Sequence, residues 1–293
     1  MISSTKCEKI FDVIVYLIMA LVCVIVIVPL LFVLANSLSD PEYVYFGEVG
    51  LIPRGFTFST YEKVLTYNNF QIVTGFWNSV KYTVLGTAIS IILTFFAAYP
   101  LSRKDLKGRG FFMMLFIITM FFNGGLIPTF IIVRGLGLYN TAFGFILPGA
   151  LSVYNMIIVR TYMMTGVPWE VQEAAMIDGA SSFWLFFRIV LPLCTPILAI
   201  MLLFYGVGYW NSYYNALIYL QDSAKAPIQM VLKSLFDQSQ SSGVGGSDIV
   251  EQAKLTAAMQ FTVIVVAMLP IMVIYPFLQK YFEKGMMIGS LKG

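Results

Sequence analysis

Histidine is absent from this 293-residue chain. That removes imidazole catalysis, histidine metal ligation and a histidine-based pH switch. Charge is scarce too: Asp, Glu, Lys and Arg make up 11% of the residues, against roughly 25% in an ordinary soluble domain. Cysteine occurs three times, at Cys7, Cys23 and Cys194, each near the start of the chain or inside an apolar run, so no disulfide framework is expected. No G-x-x-x-x-G-K-[ST] stretch is present, the pattern whose backbone amides cradle phosphates. Strand-type alternation is missing as well, which argues against a membrane β-barrel.

What the chain has in quantity is apolar sequence, 59% of all residues. A membrane-spanning helix needs about 20 mostly apolar residues. Six stretches qualify, near 13–34, 81–99, 111–133, 142–163, 189–209 and 256–279. The fold class is therefore all-α and polytopic, read as a single transmembrane domain over 1–293 with its core of spans between about 77 and 281. The first stretch has basic residues before it and Ala35-Asn36-Ser37 after it, the outline of a signal peptide. Its apolar core is longer than the ~7–15 residues of a signal core, so a retained anchor is expected.

The net charge of +3 matters less than where the cations lie. Lys6 and Lys9 precede the first span; Arg103, Lys104, Lys107 and Arg109 fill the loop after the second; Lys280, Lys284 and Lys292 follow the last. The positive-inside rule places both termini and that loop in the cytoplasm. The segment around Gly179 then falls on the same side.

Uphill transport needs an energy source. Ionisable groups near the bilayer midplane are costly and commonly functional, yet the central portions of all six stretches carry no charged residue. Coupling to protons through a buried acid is not expected. Sodium coupling through backbone carbonyls stays open. Without a phosphate-binding loop, energy for active transport has to come from a separate subunit, and a docking element is then required.

The loop 165–188 has the form of one. Pro168 suits a helix start and Glu170 puts an acid in the first turn, where the helix dipole favours it. Val171, Ala174, Ala175 and Asp178 recur at three- and four-residue spacing. Asp178-Gly179 should end the helix, glycine supplying a left-handed cap. Ser181 or Ser182 can then cap a second helix over 183–190, leading through Leu191-Pro192 into the fifth span. The bland alternative is an amphipathic helix on the inner leaflet.

The run Glu173-Ala174-Ala175, Asp178-Gly179-Ala180, then Ile189, Leu191, Pro192 and Pro196 resembles the "EAA" signature of permease subunits in binding-protein-dependent ABC importers. Gly124-Gly125-Leu126-Ile127-Pro128-Thr129, Leu136-Gly137-Leu138, Trp210-Asn211, Lys280-Tyr281-Phe282 and Lys284-Gly285 look like the carbohydrate-importer branch. Within that branch the chain is similar to the LplC-type oligosaccharide permeases, related to the maltose permeases. The resemblance implies a non-catalytic, multi-pass permease of the bacterial plasma membrane. It makes Glu170, Glu173, Ala174, Ala175, Asp178, Gly179 and Ala180 the coupling region seated on an ATPase subunit. It also implies a cytoplasmic ATPase dimer holding ATP and Mg, a second, non-identical permease and an extracytoplasmic solute-binding protein. No cofactor and no metal are expected in this chain, and no nucleic acid among its partners; membrane lipid surrounds it.

Sugars offer hydroxyls for hydrogen bonds and C–H faces for aromatic stacking. The pathway candidates are Asn123, Tyr154, Asn155, Tyr205, Tyr209, Trp210, Asn211, Tyr213 and Tyr214. Helix–helix hydrogen bonding is the bland role for Asn155, and an interfacial aromatic belt is that for 209–214. Asn123-Gly124-Gly125 with Pro128 breaks the third span, as a gate or as an early helix end before a re-entrant loop. The outer loop 211–254, with its serine- and glycine-rich tip at 239–247, is either the contact for the binding protein or a solvated connector. A self-sufficient carrier, a membrane enzyme and a permease for another solute are the rival classes.

Overall fold

A computed structural model describes residues 6–66, 71–241 and 247–290. Part of the serine–glycine tip (242–246) and Lys292 of the closing basic cluster lie outside the described residues. All regular elements among the described residues are helices. Contacts divide the chain into two units, Met1–Val73 with Val231–Leu269 and Thr74–Met230 with Pro270–Gly293.

In the first unit, α1 (Lys6–Ser37) runs with almost every side chain from residue 9 to 34 exposed, as suits a helix whose neighbours are lipid or another subunit. Its last turns pack: Ala35 joins Val44, Val49 and Ala258 in a small core. The short helices α2 (Pro41–Tyr45) and α3 (Ser59–Thr66) follow. Asp40 caps α2 by accepting the Glu42 amide, 2.9 Å.

The second unit holds α4 (Gln71–Ser102), α5 (Arg109–Phe121), α6 (Leu126–Gly135), α7 (Ala142–Ile146), α8 (Val153–Gly166), α9 (Trp169–Ile177), α10 (Ser182–Leu185), α11 (Leu191–Leu193), α12 (Thr195–Trp210) and α13 (Tyr213–Tyr219). Three helices have residues in both units: α4, whose first three residues belong to the first, α14 (Ile228–Ser241) and α15 (Ser247–Ser290).

Three single helices, over Lys9–Ser37, Gln71–Ser102 and Val250–Pro276, are long and apolar enough to cross a membrane. Three bent pairs meet the same test together, so that counting each pair as one span gives six. These segments overlap the six apolar stretches of the sequence; of the three bends, only the one at 122–125 was expected.

Each bend has a local cause. Between α5 and α6 the axis turns by 109°. There Asn123 Oδ1 accepts the Gly125 amide at 2.7 Å, and Gly125 takes φ +81°, a value costly for other residues. The helix of the third apolar stretch is therefore interrupted here, a geometry that serves a broken span or a re-entrant loop alike. Ala142–Gly149 meets α8 at 58°, where Ser152 caps α8 by accepting the Asn155 amide, 3.3 Å. The segments Ser182–Leu193 and Thr195–Trp210 meet at 81°. Before that bend, Phe186–Val190 widens into a π-turn, just ahead of Pro192, which brings no amide to the ladder and crowds the carbonyl one turn back. The second helix expected over 183–190 is thus one α-turn followed by a π-turn.

The stretch after α12, predicted as loop, is largely helical. α13 buries Ala216 and Tyr219, and α14 buries Ile228, Val231 and Leu235, an i, i+3, i+7 stripe. Asn140, in the left-handed region at φ 58°, accepts the amides of Gln221 and Asp222 at 3.2 Å each. Asn78 Nδ2 donates to the carbonyls of Ala224 and Ala226. This connector is bound to the helical core rather than solvated along its first part.

The main core of the second unit is built on Phe95, Ala98, Met156, Val159, Met163, Leu185, Phe186, Val190 and Met201. It lies directly under α9 and fixes where that helix projects.

Candidate functional site

α9 starts after Pro168, whose extended backbone (φ −57°, ψ 135°) sits at the N-cap, with Glu170 in the first turn. Alanines at 174 and 175 keep its propensity high. It ends in a two-bond glycine motif: the Ala180 amide donates to the Ala175 carbonyl (2.9 Å), and the Gly179 amide donates to that of Met176 (3.1 Å). Gly179 has φ +84°. This is the Schellman arrangement, which satisfies carbonyls left over at a helix C-terminus. Ser181 then accepts the Trp184 amide, 3.3 Å, and starts α10.

The result is a knob with one face out. Glu170, Val171, Glu173, Ala174, Asp178 and Gly179 are exposed, while Ala175 and Ala180 are half-buried. Ile177, at 81% exposure, caps the tip; it was not among the sequence candidates. A cleft of about 740 Å³ lined by Val171, Ala174, Ala175, Asp178, Trp184 and Ile189 lies between the knob and the chain that follows it.

The knob is fastened to the basic end of α4. Arg103, only 8% exposed, donates from Nε to Asp105 Oδ1 (2.8 Å), from Nη1 to the Tyr99 hydroxyl (3.0 Å) and from Nη2 to Met176 Sδ (3.0 Å). Its guanidinium also lies 5.9 Å from the Trp169 ring centre, and the Lys104 ammonium is 5.8 Å from the same ring. The hydrogen bonds to Arg103 hold the Asp105 carboxyl below its ordinary pKa; Asp105 in turn, with smaller help from Tyr99, raises that of Arg103. Sequence reading counted Arg103 as a loop cation. Met176 is 73 residues away in the chain, so no local pattern could reveal this role. Arg160 donates from Nε to the Leu101 carbonyl, 2.9 Å.

The pathway candidates fall into two groups. Tyr205 and Tyr209 tie α12 to α4: the Tyr205 hydroxyl pairs with Thr94 Oγ1 (2.7 Å) and accepts the Ser152 amide (3.3 Å). The Tyr209 hydroxyl pairs with Ser90 Oγ (2.9 Å) and lies 3.2 Å from the Ile146 carbonyl. Trp210 is buried against Phe76, and Asn155 is buried. Asn123, Tyr154, Asn211 and Tyr214 are exposed and Tyr213 half-buried, its ring edge-on to that of Tyr214.

A second cavity, of about 480 Å³, opens between α4, α12 and the 270–274 part of α15, with Thr83, Thr87, Leu203, Gly206, Trp210 and Ile271 in its wall. The Thr83 and Thr87 hydroxyls are buried and have no partner among the described residues. Among the described residues no cluster of His, Cys, Asp and Glu could hold a metal ion.

Residues 90–288, which hold the whole knob and the Tyr205–Tyr209 ridge, match the family of binding-protein-dependent transport system inner membrane components. The chain belongs to this family. Among its permease relatives, Protein LplC of Bacillus subtilis is 40% identical over 290 residues, covering 99% of this chain and 97% of that protein. The polygalacturonan/rhamnogalacturonan transport system permease protein YtcP of the same organism is 40% identical over 293 residues, with 98% and 99% covered. A crystal structure of a bacterial ABC transporter involved in importing the acidic polysaccharide alginate contains a chain that superposes with TM-score 0.85 at 28% identity. It covers 96% of this chain and 100% of that one. Family membership makes this chain an inner-membrane component of a transport system; its composition predicts the all-α membrane class.

Proposed function

We propose that this chain is a permease subunit of an ATP-driven importer for a carbohydrate, an oligosaccharide above all, delivered by an extracytoplasmic binding protein. The observation that carries it is the exposed knob Glu170–Ala180, closed at its C-terminal end by the Gly179 cap, with Ile177 at its tip. A rigid helix that shows an apolar anchor flanked by Glu173 and Asp178 is built to sit in a groove of another protein. The names of relatives that move polygalacturonan, rhamnogalacturonan and galacto-oligosaccharides support the substrate class. The full-length likeness to an alginate transporter chain supports it too.

In this reading the basic end of α4 faces the cytoplasm, and a dimer of ATPase subunits holds ATP and Mg there. Each nucleotide state biases one of two helix arrangements by its differential affinity, and a second, non-identical permease completes the pathway. The chain itself carries no catalytic group. Its outer connector, with Tyr214 and Leu217 exposed on α13, is the surface offered to the binding protein.

Co-purification from native membranes tests this. Recovery of an ATPase and a second permease, together with oligosaccharide-dependent ATP hydrolysis, is the expected result. A chain that purifies alone and conducts sugar without ATP contradicts it.

A further inference from the structure

We infer that the junction of the α4 end, the α5 start and the middle of α8 is a binding site for an anionic membrane lipid, whose phosphate head group is held by Arg109 and Arg160. The inference goes beyond the transport reading. It needs only a membrane around the chain, and it stands or falls independently of the assembly proposed above.

Charge at this junction is one-sided. Between residues 71 and 166 the sequence holds a single carboxylate, Asp105, while Arg103, Lys104, Lys107 and Arg109 follow α4 and Arg160 reaches its last turn. Both Asp105 oxygens accept from Arg103. Among the described residues no ion pair reaches the other four cations. The knob's acids, Glu170, Glu173 and Asp178, are exposed and form none with them.

The two half-buried arginines converge on neighbouring carbonyls. Arg160 donates from Nε to Leu101 at 2.9 Å, and Arg109 donates from Nη1 to Arg103 at 3.4 Å. Their charges stand close enough to repel each other. A guanidinium carries five donors, so most of those on both side chains have no acceptor among the described residues. Like charges held together and partly out of water are costly unless an anion joins them. A phosphate diester suits two planar forks, because it accepts bidentate bonds from each. The N-terminus of α5, which has no side-chain cap at Gly108, adds its positive end to the same field.

Depth and surroundings make the anion a lipid. Arg160 lies six residues short of Gly166, the end of α8, roughly 9 Å along the helix axis. α5 packs on α8, and directly after Arg109 it exposes Phe111, Phe112, Met114 and Leu115. That is an apolar track for acyl chains beside a cationic seat for the head group. Basic pockets between membrane helices bind anionic head groups in this way; a free phosphate makes no use of the track.

The test titrates the purified full-length chain, together with any subunits that co-purify, in neutral detergent. The rise in melting temperature reports binding. The probes are dioleoylphosphatidylglycerol, dioleoylphosphatidylcholine and inorganic phosphate. Half-saturation is expected at a roughly tenfold lower concentration of phosphatidylglycerol than of phosphatidylcholine, the order two arginines give near a charged head group. Excess phosphate should not displace the lipid. Arg109→Gln should cut the preference at least threefold and Arg109→Lys should restore part of it. Arg134→Gln, which removes an exposed cation from α6, should leave it unchanged. Because the preference is a ratio within one variant, a general loss of stability does not move it. Arg160→Gln should act like Arg109→Gln; should it fail to fold without its Leu101 bond, Arg109→Gln decides. Equal affinity for the two lipids overturns the inference, as does an unchanged preference in Arg109→Gln. An equal loss in Arg134→Gln overturns it as well, since net charge alone would then attract the lipid. Displacement by inorganic phosphate overturns the lipid assignment in favour of a free anion.

Discussion

Gly179 combines a left-handed backbone (φ +84°) with open space around any added Cβ. A substitution there meets backbone strain of ~1–2 kcal/mol and no clash. Gly179→Val should therefore distort the cap and cut uptake severalfold at unchanged membrane abundance, while Gly179→Asn, which tolerates this region, keeps most uptake; equal uptake by both, measured per permease in vesicles, would contradict this. Asp105 gives a pH prediction. Its folded pKa lies below the ordinary 3.8 because Arg103 donates to it, so its contribution is fully present above 3.8 and fades only as pH falls through the lower folded value. Asp105→Asn should cost the same melting temperature at pH 7 and at pH 5; a cost that shrinks between the two contradicts the pairing. Thr87 differs: its buried hydroxyl is unpartnered, and an orphan polar group removed in favour of an isostere is neutral or stabilising. Thr87→Val should leave the melting temperature in detergent unchanged or raised.

At the scale of elements, the knob was legible because each of its signals is local: an acid in the first turn, alanines on one face, Asp-Gly at the end and a serine cap. The helix break in the third apolar stretch also has a local signal, Asn123-Gly124-Gly125. The 58° and 81° bends were less legible. Pro148-Gly149 with Ser152 and Pro192 with Pro196 were available as signals, but a hydropathy window averages across a break and reports one span. The Arg103 clasp and the Asn140 anchor could not be read from the chain, because their partners are brought together only by the tertiary fold. Close packing of elements gives a further test. A Cβ on Gly144 would overlap the Leu138 carbonyl oxygen, a backbone atom, and one on Gly86 would meet the Tyr209 ring. Gly144→Ala should lower the yield of folded protein more than Gly86→Ala does, since a side chain can swing aside and a carbonyl cannot; equal yields by gel filtration would contradict this.

At the scale of the whole molecule, a chain with an exposed first helix, an exposed apolar knob and no phosphate-binding loop reads as one part of a larger machine. Its family match spans 90–288, and the first span lies outside it. In the proposed function the knob supplies a grip and the bent helix pairs supply places to bend; neither supplies free energy. The most direct measurement is transport by the purified chain reconstituted in vesicles, first alone and then with its second permease, ATPase and binding protein. Accumulation of sugar against a gradient is predicted only in the complete, ATP-supplied assembly; accumulation by the chain alone would contradict the account.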